Sequence, residues 1–268
     1  CQHSRDGGQR RGSATHCNWL CGDIGALHLF IHGFRSDIAI IASRILFYAV
    51  HLEKTISWIY AMTKYHAIFF DLGKTLLYPK TAWQTVYLNA QKALTQSLIE
   101  QGVAVDKNTF PYEFAERLNR YYVDRETTLR ELGTAQLLEE LLTEKGFGDA
   151  PHAKQSRALN AFYAITQKNW LLEDDAYRVL DALKLMGLKL ALISNAADDA
   201  DVQALIDKYR LHHYFEFIRS SAKAGYRKPH AYIFREALSA MKLFPEQCIM
   251  VGDTLDADIL GANKLDIY

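Results

Sequence analysis

Residues 65–79 read YHAIFFDLGKTLLYP. The apolar run AIFF stops abruptly at Asp71, and a turn carrying Gly73 and Thr75 follows. A short, continuously apolar segment suits a strand buried on both faces of a parallel sheet. A carboxylate does not belong inside such a strand, so Asp71 falls at its carboxyl end. That is the edge at which open α/β sheets bind ligands.

Three later segments repeat the pattern: LKLALISN (188–195), FEFIRSS (215–221) and CIMVGD (248–253), each apolar and each ending in polar residues. Amphipathic helical patterns separate them at 176–187, 199–211 and 229–243, the last with Pro229 suited to a first helical turn. Strand–helix alternation implies right-handed βαβ units and an α/β, doubly wound, parallel-sheet (Rossmann-like) core. The long interval 76–187 is rich in helix formers and carries no strand signal. It reads as an inserted all-helical domain. The expected division is a core of 62–78 and 176–268 around a helical insert of 79–175.

The chain has 268 residues, is 49% hydrophobic and has zero formal net charge. This balance gives no electrostatic reason to expect nucleic acid or an anionic membrane as a partner. Of four cysteines only Cys248 lies beyond residue 21, which fits a reducing compartment, and a cytoplasmic location is expected. Residues 1–61 differ from the rest: they hold three cysteines, five of ten histidines and six of fifteen glycines, and the first methionine is Met62. They are expected to be a non-native or poorly ordered extension. The apolar stretch 37–52 is interrupted by Asp37, Arg44 and His51, too short a clean run for the roughly 20 residues of a membrane span. Cys17, Cys21, His28 and His32 suggest zinc, but the Cys21–His28 gap is far below the roughly 12 residues of a ββα finger. Coincidence is the simpler reading.

Asp71, Ser194, Lys228 and Asp253, with Asp258 close behind, fall in or after strand-ending loops. A carboxylate can attack phosphorus, carboxylates can hold Mg²⁺, and a lysine with hydroxyl donors can grip the equatorial oxygens. Each residue has a plainer use taken singly: a helix cap, a turn residue, a solvated cation, an acidic pair at a helix start. Their joint occurrence at one sheet edge is what points to phosphoryl transfer.

In order and spacing, DLGKT, SN, RKP and GDTLDADILGA resemble the four motifs of the haloacid dehalogenase superfamily. The resemblance runs over 64–268 and likens the helical insert to that family's C1 cap. It implies that Asp71 is nucleophile and metal ligand, and that the Gly73 carbonyl, Asp253 and Asp258 complete or orient an Mg²⁺ site. It further implies that Thr75, Ser194, Asn195 and Lys228 contact the nucleophile or the phosphoryl group. The expected activity is Mg²⁺-dependent hydrolysis of a small phosphorylated metabolite, by a monomer or homodimer that needs neither nucleic acid nor membrane.

Gly73 departs from the family's Asp-x-Asp pattern, in which the second aspartate is the general acid and base. Its loss removes a factor of about 10²–10⁴. Hence an alternative stands: a weak or inactive phosphate-binding, regulatory member. Dehalogenase chemistry fits less well, because residues 73 and 74 are Gly and Lys where the resemblance asks for Tyr-Gly. Phosphonate cleavage would need a cap lysine, and none of Lys80, Lys92, Lys107, Lys145, Lys154 or Lys168 stands out. Substitute acids are sought at His152, Glu173, Asp174 and Asp175, and substrate contacts at Tyr78, Trp83, Arg125, Arg130 and Trp170. The chain stops at GANKLDIY, where the family continues with a fifth strand; Ile267 and Tyr268 are expected to begin it.

Overall fold

The computed structural model describes residues 64–268. The proposed extension 1–61, its apolar stretch and its Cys/His set lie outside the described residues. Strand β1 (Ala67–Phe70) is flanked by β4 (Lys189–Ser194) on one side and β6 (Cys248–Val251) on the other, with β5 (Phe217–Ser220) beyond β4. All three pairings are parallel, with Phe70 in register with Leu192 and Val251. The four apolar runs are therefore the four strands of one sheet, in the order β5-β4-β1-β6. Tyr268 donates its N–H to the Cys248 carbonyl at 3.1 Å, and its carbonyl accepts the Met250 N–H at 2.8 Å. The last residues thus lie along β6, where the next strand was expected.

The strands' period of two sorts their side chains onto two buried faces. Ile68, Phe70, Leu190 and Leu192 pack with Leu180 of α5 (Ala176–Leu185) and with Val202, Leu205 and Ile206 of α6 (Asp199–Lys208). Ala67, Phe69, Ala191 and Ile193 pack on the opposite face with Ile233, Phe234 and Ala237 of α8 (Ala231–Met241). Both faces are covered, which explains why the runs are continuous rather than alternating. Between β5 and α8 lies the short α7 (Ser221–Ala224), and α9 (Leu260–Asn263) follows β6. Pro229 is not in the first turn of α8, which starts two residues later with His230 as its cap.

Between β1 and α5 lie four helices: α1 (Trp83–Glu100), α2 (Phe110–Thr128), α3 (Thr134–Glu144) and α4 (His152–Thr166). They share a separate apolar core that includes Leu94, Leu98, Phe114, Leu138, Leu142 and Phe162. The insert is not wholly helical. β2 (Leu77–Pro79) pairs antiparallel with β3 (Trp170–Leu172), Tyr78 opposite Leu171, where the sequence carried no strand signal. Three residues are too few to display a period, and their partners are some ninety positions away. Asn169 ties the two crossings together: its Oδ1 accepts the Thr81 N–H at 3.0 Å and hydroxyl at 2.8 Å, and its Nδ2 donates to the Thr81 carbonyl at 3.0 Å. The helical segment also meets the sheet domain through backbone bonds from Glu131 N–H to the Gly225 carbonyl (3.1 Å) and from Arg227 N–H to the Leu129 carbonyl (3.0 Å). No described helix is long and apolar enough to cross a membrane.

Candidate active site

The carboxyl ends of β1, β4 and β6 deliver Asp71, Ser194 and the 251–258 loop to one place. Asp71 follows β1 directly and is buried. Lys228 is 1% exposed although it carries an ammonium, and such burial requires partners. Three surround its Nζ: Asp71 Oδ1 at 2.7 Å, the Ile193 carbonyl at 2.7 Å and Asp258 Oδ1 at 2.6 Å. Burial pushes the Asp71 carboxyl above its usual range, Lys228 opposes that shift, and Asp258 adds to it.

Asp258 sits behind this pair. Its Oδ2 accepts the Thr254 N–H at 3.0 Å, closing the turn Leu255–Ile259. Gly252 makes room for it: a Cβ there would lie 2.3 Å from the Asp258 carboxyl carbon. Asp253 is the more open carboxylate, 4.0 Å from the exposed Lys74 ammonium. Asp71, Asp253 and Asp258 can each present an oxygen such that all three lie within 4.8 Å of one another. Three carboxylates against one buried lysine suit a hard divalent cation.

Asn195 lines the same cavity, and its side chain also serves the lysine. Its Oδ1 accepts the Lys228 N–H at 2.7 Å and its Nδ2 donates to the Lys228 carbonyl at 2.9 Å. Its amide grips the lysine's main chain and positions it. Ser194 and Gly73 line the same cavity as Asp71; Thr75 does not, and its buried hydroxyl makes no hydrogen bond.

The cavity measures about 500 Å³ and runs from this cluster to the helical segment. Of the substrate contacts sought in the sequence, Trp83, Arg125 and Trp170 line it, whereas Tyr78 and Arg130 do not. Neither His152 nor Glu173, Asp174 or Asp175 lines it; the cavity carboxylates outside the metal cluster and its turn are Glu126, Asp198 and Asp201. Burial pushes Asp201 up to about 6, while its hydrogen bond from Gln167 (2.8 Å) pulls the other way. Arg227 also lines the cavity. Its signal was available in the sequence, beside Lys228, but nothing local distinguished it from a surface arginine.

The space at Gly73 is tight. A Cβ there would lie 3.1 Å from the tip of the Trp170 indole, which itself rests on Trp83 with ring centroids 4.9 Å apart. The obstacle to a side chain at this position is a neighbouring ring rather than the glycine's own backbone angles.

A parallel sheet whose carboxyl edge gathers a buried lysine and three carboxylates beneath a largely helical insert defines a class of hydrolase with a Rossmann-like core. The chain belongs to the haloacid dehalogenase-like hydrolase family, which matches residues 65–266. It is 28% identical over 199 residues to the glyceraldehyde 3-phosphate phosphatase of Methanopyrus kandleri, covering 74% of this chain and 79% of that protein. It is 36% identical over 103 residues to haloacid dehalogenase-like hydrolase domain-containing protein 3 of Xenopus laevis, covering 38% of this chain but only 41% of that protein. Among solved structures, a 2-haloacid dehalogenase from Pseudomonas syringae pv. Tomato superposes with a TM-score of 0.54 at 22% identity, over 76% of this chain and 84% of that one. That likeness concerns the fold.

Proposed function

We propose that the protein is an Mg²⁺-dependent phosphatase that acts on a small phosphorylated metabolite through Asp71. The observation that carries this is the Asp71–Lys228–Asp258 cluster at the floor of a cavity that also holds Ser194 and Asp253. The phosphatase named among its relatives supports phosphoryl rather than carbon–halogen chemistry. In this reading an Asp71 oxygen attacks phosphorus, a P–O bond to Asp71 forms, and the ester P–O bond breaks with its electron pair leaving on the alcohol oxygen. Water then attacks the same phosphorus, the P–O bond to Asp71 breaks with its electron pair returning to the carboxylate, inorganic phosphate leaves, and the proton that the water gives up balances the one that the alkoxide takes from solvent. Lys228 stabilises the charge on Asp71 and on the transferring group, and the Ser194 hydroxyl donates to a phosphoryl oxygen. Bound to Asp71, Asp253 and the Gly73 carbonyl, Mg²⁺ would supply charge neutralisation between attacker and phosphate. Asp258, engaged on Lys228 and on Thr254, orients the lysine. The divisions 62–78 with 176–268, and 79–175, serve in this reading as catalytic core and cap.

Hydrolysis of p-nitrophenyl phosphate by the full chain tests the proposal. Activity should vanish on chelation with EDTA and return with Mg²⁺. Absence of turnover with Mg²⁺ present would instead favour the non-catalytic, phosphate-binding alternative.

Trp170 sharpens a second expectation. Gly73→Asp by itself should give no gain, because the new side chain meets the indole. Gly73→Asp combined with Trp170→Leu should raise turnover of an alkyl ester such as glycerol phosphate toward the roughly 10²–10⁴ that general acid catalysis supplies. p-Nitrophenyl phosphate, whose leaving oxygen needs little protonation, should respond weakly. Equal gains in the single and double variants would show that Trp170 is not the barrier.

A further inference from the structure

Where the helical segment meets the sheet domain, two arginines share the wall of the cavity. Arg125 comes from α2, and Arg227 immediately precedes the buried Lys228. Glu131, whose side chain is fully buried, lies between them. It is already engaged: Oε1 accepts the Tyr121 hydroxyl at 2.7 Å and Arg125 Nη1 at 3.2 Å, and Oε2 accepts the Ser221 hydroxyl at 2.7 Å. Arg125 is further fixed by lying over the Tyr122 ring, 4.2 Å from its centroid.

Arg227 is left incomplete. It is 9% exposed, and its Nη1 makes no hydrogen bond. The nearest carboxylate oxygens to that nitrogen are Glu126 Oε1 at 3.5 Å, on a side chain 65% exposed, and Glu131 Oε2 at 3.9 Å. Two guanidinium ions therefore face one buried carboxylate and one solvent-screened carboxylate. Burial and the neighbouring Arg125 both lower the proton affinity of Arg227. A buried donor without a partner is costly, and a bidentate anion is the partner a guanidinium fits best. Two further cavity carboxylates already have donors: Asp198 accepts the Asp201 N–H at 3.1 Å, and Asp201 accepts Gln167.

We infer that Arg227, with Arg125, forms a second anion subsite in the cavity, and that the substrate is a phosphate monoester whose organic part carries a further carboxylate or phosphate. The inference rests on the phosphatase reading of the same cavity and names its substrate class. Arg227 takes the second anion through the part of its side chain that lines the cavity, Nη1 stays turned toward Glu126 and Glu131, and Asp71 with Lys228 receives the scissile phosphoryl end. Monoesters with a neutral tail leave Arg227 with only its long contacts to Glu126 and Glu131 and bind more weakly.

Calorimetric titration of the full chain with Mg²⁺ tests this without turnover. The probes are 3-phosphonopropionate (carboxylate tail), propane-1,3-diylbisphosphonate (phosphonate tail) and propylphosphonate (neutral tail), with the charged tails also tested one methylene longer. At least one charged tail should bind tenfold or more tightly than propylphosphonate, and which one does identifies the second anion. Arg227→Gln should remove most of that preference and change propylphosphonate binding less than twofold; Arg227→Lys should retain part of it. Equal affinities for charged and neutral tails in the wild-type protein overturn the subsite, as does a loss in Arg227→Gln that is the same for both. If Arg227→Gln does not fold, the wild-type ratio and Arg125→Gln decide. Failure of the phosphatase reading shows separately, as p-nitrophenyl phosphate hydrolysis that persists in Asp71→Asn.

Discussion

Asp71→Asn is expected to lower phosphatase turnover by roughly 10⁴-fold or more, the scale seen when an enzyme loses its nucleophile. The amide nearly matches the carboxylate in shape but cannot attack phosphorus. The fold should not suffer. Burial is the largest influence on this carboxyl and raises its pKa, so its ionised form is disfavoured where it sits. For a group whose folded pKa exceeds its unfolded value, stability falls as pH rises from the unfolded value toward the folded one. In the metal-free protein, ionised Asp71 therefore subtracts from stability above the usual carboxylate range near 3.8. The variant, which has no such proton to lose, should equal or exceed the wild-type protein in Tm at pH 7 in EDTA. It should also show a flatter pH dependence. Turnover within tenfold of wild type would remove Asp71 from the nucleophile's role, whereas a collapsed Tm would make it a structural residue.

Lys228→Met should be the most destabilising change at the site. It leaves Asp71 and Asp258 facing each other in a buried place without their shared cation, and it leaves the Ile193 carbonyl without its donor. Breaking a buried pair in this way costs about 3–5 kcal/mol, a large share of the roughly 5–15 kcal/mol that holds a domain folded. Activity should disappear as well. A second substitution separates the two effects: adding Asp258→Asn removes one of the stranded charges and should recover part of the stability but none of the turnover. Urea unfolding of the two variants measures the difference. A loss below about 1 kcal/mol in Lys228→Met would mean that water reaches the cluster and relieves it.

The four sheet strands, the helices that follow them and the residues at the sheet's carboxyl edge were legible because each depends on local pattern. AIFF, LALI (190–193) and CIMV are apolar throughout because both faces of their sheet are covered, and Asp71 and Ser194 stand out because they end such runs. β2 and β3 were invisible for the opposite reason. A three-residue strand has no period, and its existence depends on a partner far along the chain and on the Asn169 side chain that joins the crossings. The roles of Asn195 and Asp258 were blurred likewise. Spacing placed them at the site but could not tell that one grips the lysine's backbone and the other its ammonium.

By itself, the order and spacing of DLGKT, SN, RKP and GDTLDADILGA determined the family and the chemistry to be expected, because those residue types at strand ends follow from the chain's own periodicities. Only the tertiary structure decided what surrounds them. It put the Trp170 ring against the place of a side chain at position 73, and it left the acids sought near the hinge off the cavity wall, on which Glu126, Asp198 and Asp201 stand. It also brought Arg125 and Arg227, a hundred positions apart, to one wall about a single buried glutamate. Those juxtapositions are set by how the helical segment packs on the sheet. Packing of that kind is a property of surfaces distant in sequence, which no local pattern of residues records.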